Sequence, residues 1–356
     1  MYRRFGVAAL VALGAVAAPA APASAATVHC GDHISTNIVL SNDLTCVGTA
    51  LHLVIAENQT LTVNLNGHQL KGNGTGTGLE TDLFKPANTS IAGNLVVTNG
   101  TITGFAVALV GPGTYSPGLL NLTARKLKLT SNAAWQPMRV RYATVIENSV
   151  VTDSGSGGAY TDSSSMTARN TIFTRSSISS ASESYNYLYG NTFSGGGFGG
   201  STLSTVIATG NTFRDCNYGI TMNDSWTTPM QIENNIFQRC QTGLRLNGML
   251  GPIVVQGNSF LDNKSAGMTY LNAFHRKLTI AGNSFLRNGA DGLTGADTNV
   301  GPGPVAGSGP TTVTGNIANR NVGLGLNFTG VVTDGGGNRA QLNGNPAQCV
   351  GVVCTP

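Results

Sequence analysis

From residue 145 to residue 328 the chain alternates short apolar or β-branched runs with Gly- and Asn-rich turns. No apolar run shows the 3.6-residue spacing of a helix, and strong helix formers are sparse in these stretches. The runs recur in a fixed unit. It is clearest as Gly210-Asn211-Thr212-Phe213, followed by Gly219-Ile220, and it returns as Asn234-Asn235-Ile236-Phe237 with Gly243-Leu244. Further copies are Gly257-Asn258-Ser259-Phe260 with Gly267-Met268, and Gly282-Asn283-Ser284-Phe285 with Gly292-Leu293. Weaker copies sit at Thr171-Ile172-Phe173, Gly190-Asn191-Thr192-Phe193 and Gly315-Asn316-Ile317 with Gly323-Leu324. Anchored at 171, 191, 211, 235, 258, 283 and 316, the steps are 20, 20, 24, 23, 25 and 33 residues. Such a period marks a solenoid and leaves room for three short strands and three turns per coil.

Each part of the unit has a physical role. The Asn follows a β-branched run (Ile253-Val254-Val255 before Asn258, for example) and is expected to take the left-handed turn conformation that Asn tolerates. Stacked on neighbouring coils, these side chains are also expected to form an amide ladder. The Phe two residues later points inward, so Phe173, Phe193, Phe213, Phe237, Phe260 and Phe285 form one internal column that uses half of the chain's 12 Phe. On these residues the chain resembles the right-handed parallel β-helix (pectate-lyase-like) superfamily, in particular its secreted bacterial repeat proteins, over roughly residues 50–345. The expected fold is all-β: a single-stranded, right-handed parallel β-helix with disulfide-closed caps.

The ends frame that solenoid. Arg3 and Arg4 precede an apolar, Ala-rich stretch over residues 5–18, and Ala23-Ser24-Ala25 forms a small-residue cleavage site. Residues 1–25 therefore read as a secretory signal peptide, cleaved near Ala25, and are too short and too Pro- and Ala-rich for a membrane anchor. Arg3-Arg4-Phe5 is an incomplete twin-arginine motif. Residues 26–50 read as an N-terminal cap, 51–330 as the β-helix and 331–356 as a C-terminal cap. The six cysteines suit an oxidising compartment. Cys30 and Cys46 pair in the first cap, and Cys349 and Cys354 in the second. Cys216 and Cys240 each lie five residues past a repeat Asn, so they stack on adjacent coils as a bond, the reading we favour, or as a buried thiol pair.

Charge narrows the partners. Loss of Arg3 and Arg4 lowers the net charge from +4 to +2, which leaves no electrostatic footprint for nucleic acid. Charged residues make up 10% of the chain, against about 25% in ordinary globular proteins. The surface is accordingly one of Asn, Thr, Ser and Gly, suited to a glycan and equally to bare hydroxyl ladders. Arg125, Lys126, Lys128, Arg139 and Arg141 form the one basic concentration and read as solvated strand faces. His68, after the alternating run ending Leu65-Asn66-Gly67, reads as a turn residue.

No nucleophile elbow, Cys/His metal pattern or phosphate loop occurs. What remains is geometric. If Ile220, Leu244, Met268, Leu293 and Leu324 face inward, then Thr221, Arg245, Thr269, Thr294 and Gly325 face outward, with Asn223, Asn247, Leu271, Ala296 and Asn327 two positions on. That face and its loops are expected to gather Asp162, Asp224, Arg245, His275 and Asp297 as catalytic candidates. Tyr160, Trp226, Asn223, Asn247 and Arg276 are the substrate-binding candidates. Paired carboxylates serve glycoside hydrolysis. The family resemblance implies instead, for uronic-acid lyases, a cation or Ca²⁺ on the substrate carboxylate and a Lys or Arg base. Two readings follow: an enzyme acting on extracellular polysaccharide, lyase or hydrolase, and a non-catalytic β-helix that binds glycan or cell wall. Calcium is the one cofactor considered, through Asp224 or Asp297. The dispersed histidines, 29, 33, 52, 68 and 275, give little support to a metal-delivery role. The oligomeric state is open.

Overall fold

The computed structural model describes residues 25–83, 92–110, 119–134, 143–154, 159–162, 165–181, 184–201, 203–223, 229–248, 251–271, 277–296 and 311–356. Within them the chain is a stack of coils joined by parallel pairing from each coil to the next. A 25-stranded sheet wraps two faces. The third face is a four-stranded sheet, built from Asp32–Ile34, Leu51–Ile55, Thr77–Leu83 and Val107–Val110, and then a nine-stranded sheet running from Ala159–Asp162 to Cys349–Val350. The all-β solenoid expected from the period is therefore present, and the longest step, between Asn283 and Asn316, holds residues 297–310, which lie outside the described set.

The Phe column forms as the repeat implies. Phe173, Phe193, Phe213, Phe237, Phe260 and Phe285 are buried, with successive centroids 4.6–5.1 Å apart and nearly parallel rings. Carbon surfaces touch at about 3.5–4 Å, so parallel rings at coil spacing must be offset, the arrangement that aromatic quadrupoles favour. The column also explains the repeated Gly. A Cβ on Gly243 would lie 2.6 Å from the Gly267 carbonyl oxygen and 2.8 Å from Phe237 Cβ, and Gly219, Gly267 and Gly292 meet equivalent walls.

The amide ladder forms by stacking as expected, but the left-handed turn residue is not the ladder Asn. Asn191, Asn211, Asn235, Asn258, Asn283 and Asn316 are buried, and none has a positive φ; the left-handed residue is the one before each, Gly190, Gly210, Asn234, Gly257, Gly282 and Gly315. Asn191 Oδ1 accepts the Thr171 N–H, and from Asn211 onward each ladder Oδ1 accepts both the backbone N–H and the side-chain Nδ2 of the Asn one coil earlier, as Asn258 does from Asn235 at 2.9 and 3.0 Å. Each Nδ2 also donates to a carbonyl, as Asn258 does to Ile232. Burial of so many amides is tolerated because every donor and acceptor is used.

A second ladder runs five residues further on, through Asn263, Asn288, Asn321 and Asn343, and Gln348 Oε1 ends it by accepting from Asn343 N and Nδ2. Cys216 and Cys240 occupy the same column and form the favoured disulfide, and the Cys240 N–H then donates to Asn263 Oδ1. Cys30–Cys46 and Cys349–Cys354 are also bonded. His68 sits at its turn with Nδ1 2.9 Å from Asp43 Oδ1. Arg125 pairs with Glu147 on the neighbouring strand, whereas Arg139 and Arg141 lie outside the described residues.

Candidate functional site

The nine-stranded sheet carries the face on which the sequence places chemistry. Its inward column runs Ile178, Phe198, Ile220, Leu244, Met268, Leu293 and Leu326. The adjoining outward column runs Ser179, Gly199, Thr221, Arg245, Thr269, Thr294 and Asn327. The final coil is displaced by two residues from the expected register: Leu326, not Leu324, stacks on Leu293, so Asn327 stands beside Thr294. The cause is visible in Asp291. Its Oδ1 accepts the Leu324 N–H at 2.7 Å, and its Oδ2 accepts from Thr294 Oγ1 and Asn327 Nδ2, so residues 323–325 are drawn into the preceding turn.

Arg245 lies on this face, half-buried. Its Nη1 donates to the Tyr218 hydroxyl at 3.2 Å, and its guanidinium carbon stands 5.6 Å from that ring's centroid. A cation over an aromatic face is held by the ring quadrupole as well as by the hydrogen bond, which fixes a side chain that would otherwise be flexible. Asn223 and Asn247 pair in register two positions further along the same strands. Across the coil of Tyr218 and the two before it, an open cavity of about 230 Å³ is walled by Ser177, Ser179, Gly197, Gly199, Tyr218 and Thr221. Its floor is low because Gly199 occupies an outward position between Ser179 and Thr221. A Cβ there would meet only Thr221 Cγ2, at 3.7 Å, so the notch is room left open and not a packing requirement. By contrast, a Cβ on Gly197 would fall 2.2 Å from the Tyr218 carbonyl.

The other candidates are less concentrated than the sequence suggests. Tyr160 and Asp162 enter the same sheet by backbone register, opposite Ser179 and Ala181. That is four strands from Arg245 and Asn247, or about 19 Å at ordinary strand spacing. They belong to one face but not to one reaction centre with Arg245. Asp224, Trp226, His275, Arg276 and Asp297 lie outside the described residues. The sequence reading passed over Tyr218 and the cavity. Both had a signal: a tyrosine next to the repeat glycine Gly219, and the glycine run over residues 195–200.

The described histidines do not form a metal centre. His33 stacks on His52 with centroids 4.8 Å apart, and His52 Nδ1 lies 3.8 Å from Glu80 Oε2. Among the described residues no group of three or more His, Cys, Asp or Glu is placed to hold a metal ion.

Comparison with known proteins fits this architecture. Residues 126–299 match the family described as "Periplasmic copper-binding protein (NosD)". No curated protein matches the sequence. Among solved structures, the A-module of the Azotobacter vinelandii mannuronan C-5 epimerase AlgE6 is 13% identical, with 90% of this chain and 91% of that one covered and a TM-score of 0.56. The AlgE4 A-module from the same organism is 12% identical, with coverages of 84% and 90% and a TM-score of 0.50. A variant of the periplasmic alginate epimerase AlgG is 11% identical, with coverages of 92% and 79% and a TM-score of 0.50. At these identities the likeness is one of fold. The copper in the family's description finds no fit in the described residues. All six cysteines are in disulfides, and within the matched segment the one histidine is His275, which lies outside them. In coil register, ladders and fold neighbours alike, the chain is a right-handed parallel β-helix repeat protein.

Proposed function

We propose that this is an exported β-helix protein that acts on polysaccharide along its nine-stranded sheet, and that the chain it takes carries uronate groups. The observation that bears most weight is Arg245, held over the Tyr218 ring beside a cavity of about 230 Å³. A guanidinium recognises a carboxylate through two parallel hydrogen bonds. Neutralising a uronate in that way acidifies the adjacent carbon, whose proton is lost first in both β-elimination and epimerisation. The described part of the face offers less to hydrolysis, which needs two free carboxyl groups: Asp291 is already occupied by three hydrogen bonds. The fold neighbours that are mannuronan and alginate epimerases support the uronate reading. Asp224, His275 and Asp297 are our candidates for the proton-transfer groups, and Trp226 and Arg276 for substrate contacts. Asn223 and Asn247 supply amides along the groove. Tyr160 and Asp162 contact the far end of a long substrate. The Ala-rich leader and the three disulfides support export to the periplasm or beyond.

The test is incubation of the purified protein with alginate, pectate and neutral glycans, with and without calcium. Unsaturated uronate absorbance, reducing ends and the ratio of C5 epimers are read together. Unsaturated or epimerised products from a uronate polymer are expected. Arg245→Ala should lower kcat/KM about 100-fold, the equivalent of one lost charged hydrogen bond. Gly199→Val should block the notch and lower turnover, since a Cβ there meets only Thr221 Cγ2, at 3.7 Å, and the branches beyond it fill the cavity. Reducing ends alone would redirect attention to Asp224 and Asp297 as a hydrolytic pair. Silence on every polymer, with retention on one of them, would establish the non-catalytic alternative.

A further inference from the structure

A second surface lies one corner away from the groove. The strand Tyr185–Tyr189 is on the same coil as Ile178–Ala181, whose Ser179 walls the cavity. Its inward residues are Asn186 and Leu188, so Tyr185, Tyr187 and Tyr189 all project from the outer face; Tyr185 is 46% exposed. One third of the chain's nine tyrosines thus falls within five residues, on one side of one strand. The rings of Tyr187 and Tyr189 are nearly parallel, with centroids 6.5 Å apart.

The flanks matter as much as the rings. In register on one side stand Ser165, Thr167 and Arg169, and on the other Thr205, Ile207 and Thr209. Apart from Arg169, whose guanidinium lies 5.5 Å from the Tyr189 centroid, these side chains are short. The phenol rings therefore stand above their neighbours as a ridge about 13 Å long, given the rise of a strand. Among the described residues none of the three hydroxyls makes a hydrogen bond within the protein. A single row of three aromatic rings edged by hydroxyls, with one cation and no broad apolar patch, is small for a protein interface, which takes about 800 Å² from each partner, and at a net charge near +2 it does not suit nucleic acid. It suits a sugar chain, whose apolar ring faces stack on aromatics while its hydroxyls meet phenol and Thr oxygens.

We infer that Tyr185, Tyr187 and Tyr189 form a polysaccharide-docking ridge, separate from the groove, that holds a glycan chain while the nine-stranded sheet works on it. The ridge shares a ligand class with the proposed groove but not a face, so the two can fail independently. The experiment is depletion of the purified protein from solution by cellulose, chitin and calcium alginate beads, alongside turnover of a soluble oligosaccharide. The wild type should be retained on at least one solid. The double variant Tyr185→Ala/Tyr187→Ala should be retained about tenfold more weakly, as loss of two exposed aromatic anchors implies, with turnover of the soluble substrate unchanged. Tyr185→Phe/Tyr187→Phe should keep most of the retention, because the rings remain. Gly199→Val should keep it entirely. Should the alanine variant melt early, protection of Tyr185 from iodination by bound glycan in the wild type decides the matter, and absence of protection counts against the ridge. Equal retention of a folded alanine variant, or no retention of the wild type on any solid, overturns the inference.

Discussion

The two halves of this solenoid are held together by different physics. In the described coils up to residue 134 the interior is aliphatic apart from Phe105: Leu40, Leu51, Leu53, Ile55, Leu61, Val63, Leu70 and Val97 are fully or almost fully buried, and the buried polar side chains are Thr81 and Asn132. From residue 143 onward the corners bury a succession of Ser, Thr and Asn, and one flank of the core is a stack of Phe against Gly. The first half is stabilised by apolar transfer, which is non-directional and scales with area. The second adds a polar network in which each amide has one position and one set of partners. A transfer core tolerates exchange among residues of similar volume. A ladder tolerates almost none.

The largest expected effect tests that contrast directly. Asn258→Ala removes an Oδ1 that accepts from Asn235 N and Nδ2, and an Nδ2 that donates to Ile232 O and Asn283 Oδ1. Four buried groups lose a partner, at about 1–3 kcal/mol each, so a loss of about 4 kcal/mol or more is expected in urea unfolding. Asn258→Leu should do no better. In the aliphatic half Leu53→Met should cost less than about 1.5 kcal/mol. Similar tolerance at the two positions would erase the distinction.

The disulfide sharpens it. Cys216 and Cys240 stand in the second ladder's column, 24 residues apart, and a cross-link closing a loop of that length stabilises by about 3 kcal/mol. Cys216→Ala/Cys240→Ala should lose about that amount. Cys216→Asn/Cys240→Asn should recover about 1 kcal/mol of it, because Asn263 Oδ1 already accepts from the Cys240 N–H and an amide there extends the ladder by two rungs. Thermal melts of both variants under oxidising conditions would show whether the column is set by shape or by hydrogen bonding.

Glycines in the periodic half divide by cause. Gly243→Ala should cost about 1–3 kcal/mol through overpacking, since its Cβ would crowd the Gly267 carbonyl, Phe237 Cβ and the Phe260 ring. Gly210→Ala meets nothing within 4 Å but must hold a φ of +67°, a strain of about 1 kcal/mol. If the two melts shift equally, packing against the Phe column is not what keeps the repeat glycine.

The same contrast decides how much was legible from sequence. The Phe column, the coil period and the Cys216–Cys240 contact could be read because identical side chains recur at a fixed step, and stacking identical residues is what a parallel coil does. The second ladder was equally periodic, with Asn263, Asn288, Asn321 and Asn343 at the same offset, but it was hidden behind the cysteines that begin its column. The identity of the left-handed residue was misassigned by one position, because Asn suits both a turn and a ladder and composition does not separate the two. The site was harder. Arg245, Asn223 and Asn247 follow from strand alternation, which is local. That Tyr160 and Asp162 sit four strands away follows from counting coils, which the sequence also permits. Tyr218 reaches Arg245 diagonally across a rung, and the cavity is an absence of side chains at Gly199; neither has a periodic signature.

The smallest expected effect concerns charge, and it too belongs to the periodic half. At the left-handed turn of successive coils Asp215 receives a forked hydrogen bond from Arg239, and Asp262 from Arg287, with Asp153 and Arg175 paired likewise earlier. In each case the guanidinium hydrogen bond holds the carboxyl below its ordinary value of 3.8. A carboxyl depressed in the folded state binds fewer protons there than in the unfolded chain. The stability it contributes is therefore complete above 3.8 and is lost as the pH falls through the lowered folded value. These pairs are largely exposed, so the effect at neutral pH is slight and fades with salt. Arg239→Ala should lower the melting temperature at pH 7 only slightly, and should make the fall below about pH 4 shallower, because with Asp215 back towards its ordinary value the folded and unfolded chains bind nearly the same number of protons there. Arg125→Ala, which breaks the Arg125–Glu147 pair on a strand face, should lower the melting temperature at pH 7 by no more than Arg239→Ala does. Melting temperature followed from about pH 7 to pH 2 in low and high salt measures both, and a salt-insensitive shift would mean that Arg239 supports its turn through packing of its stem and not through its charge.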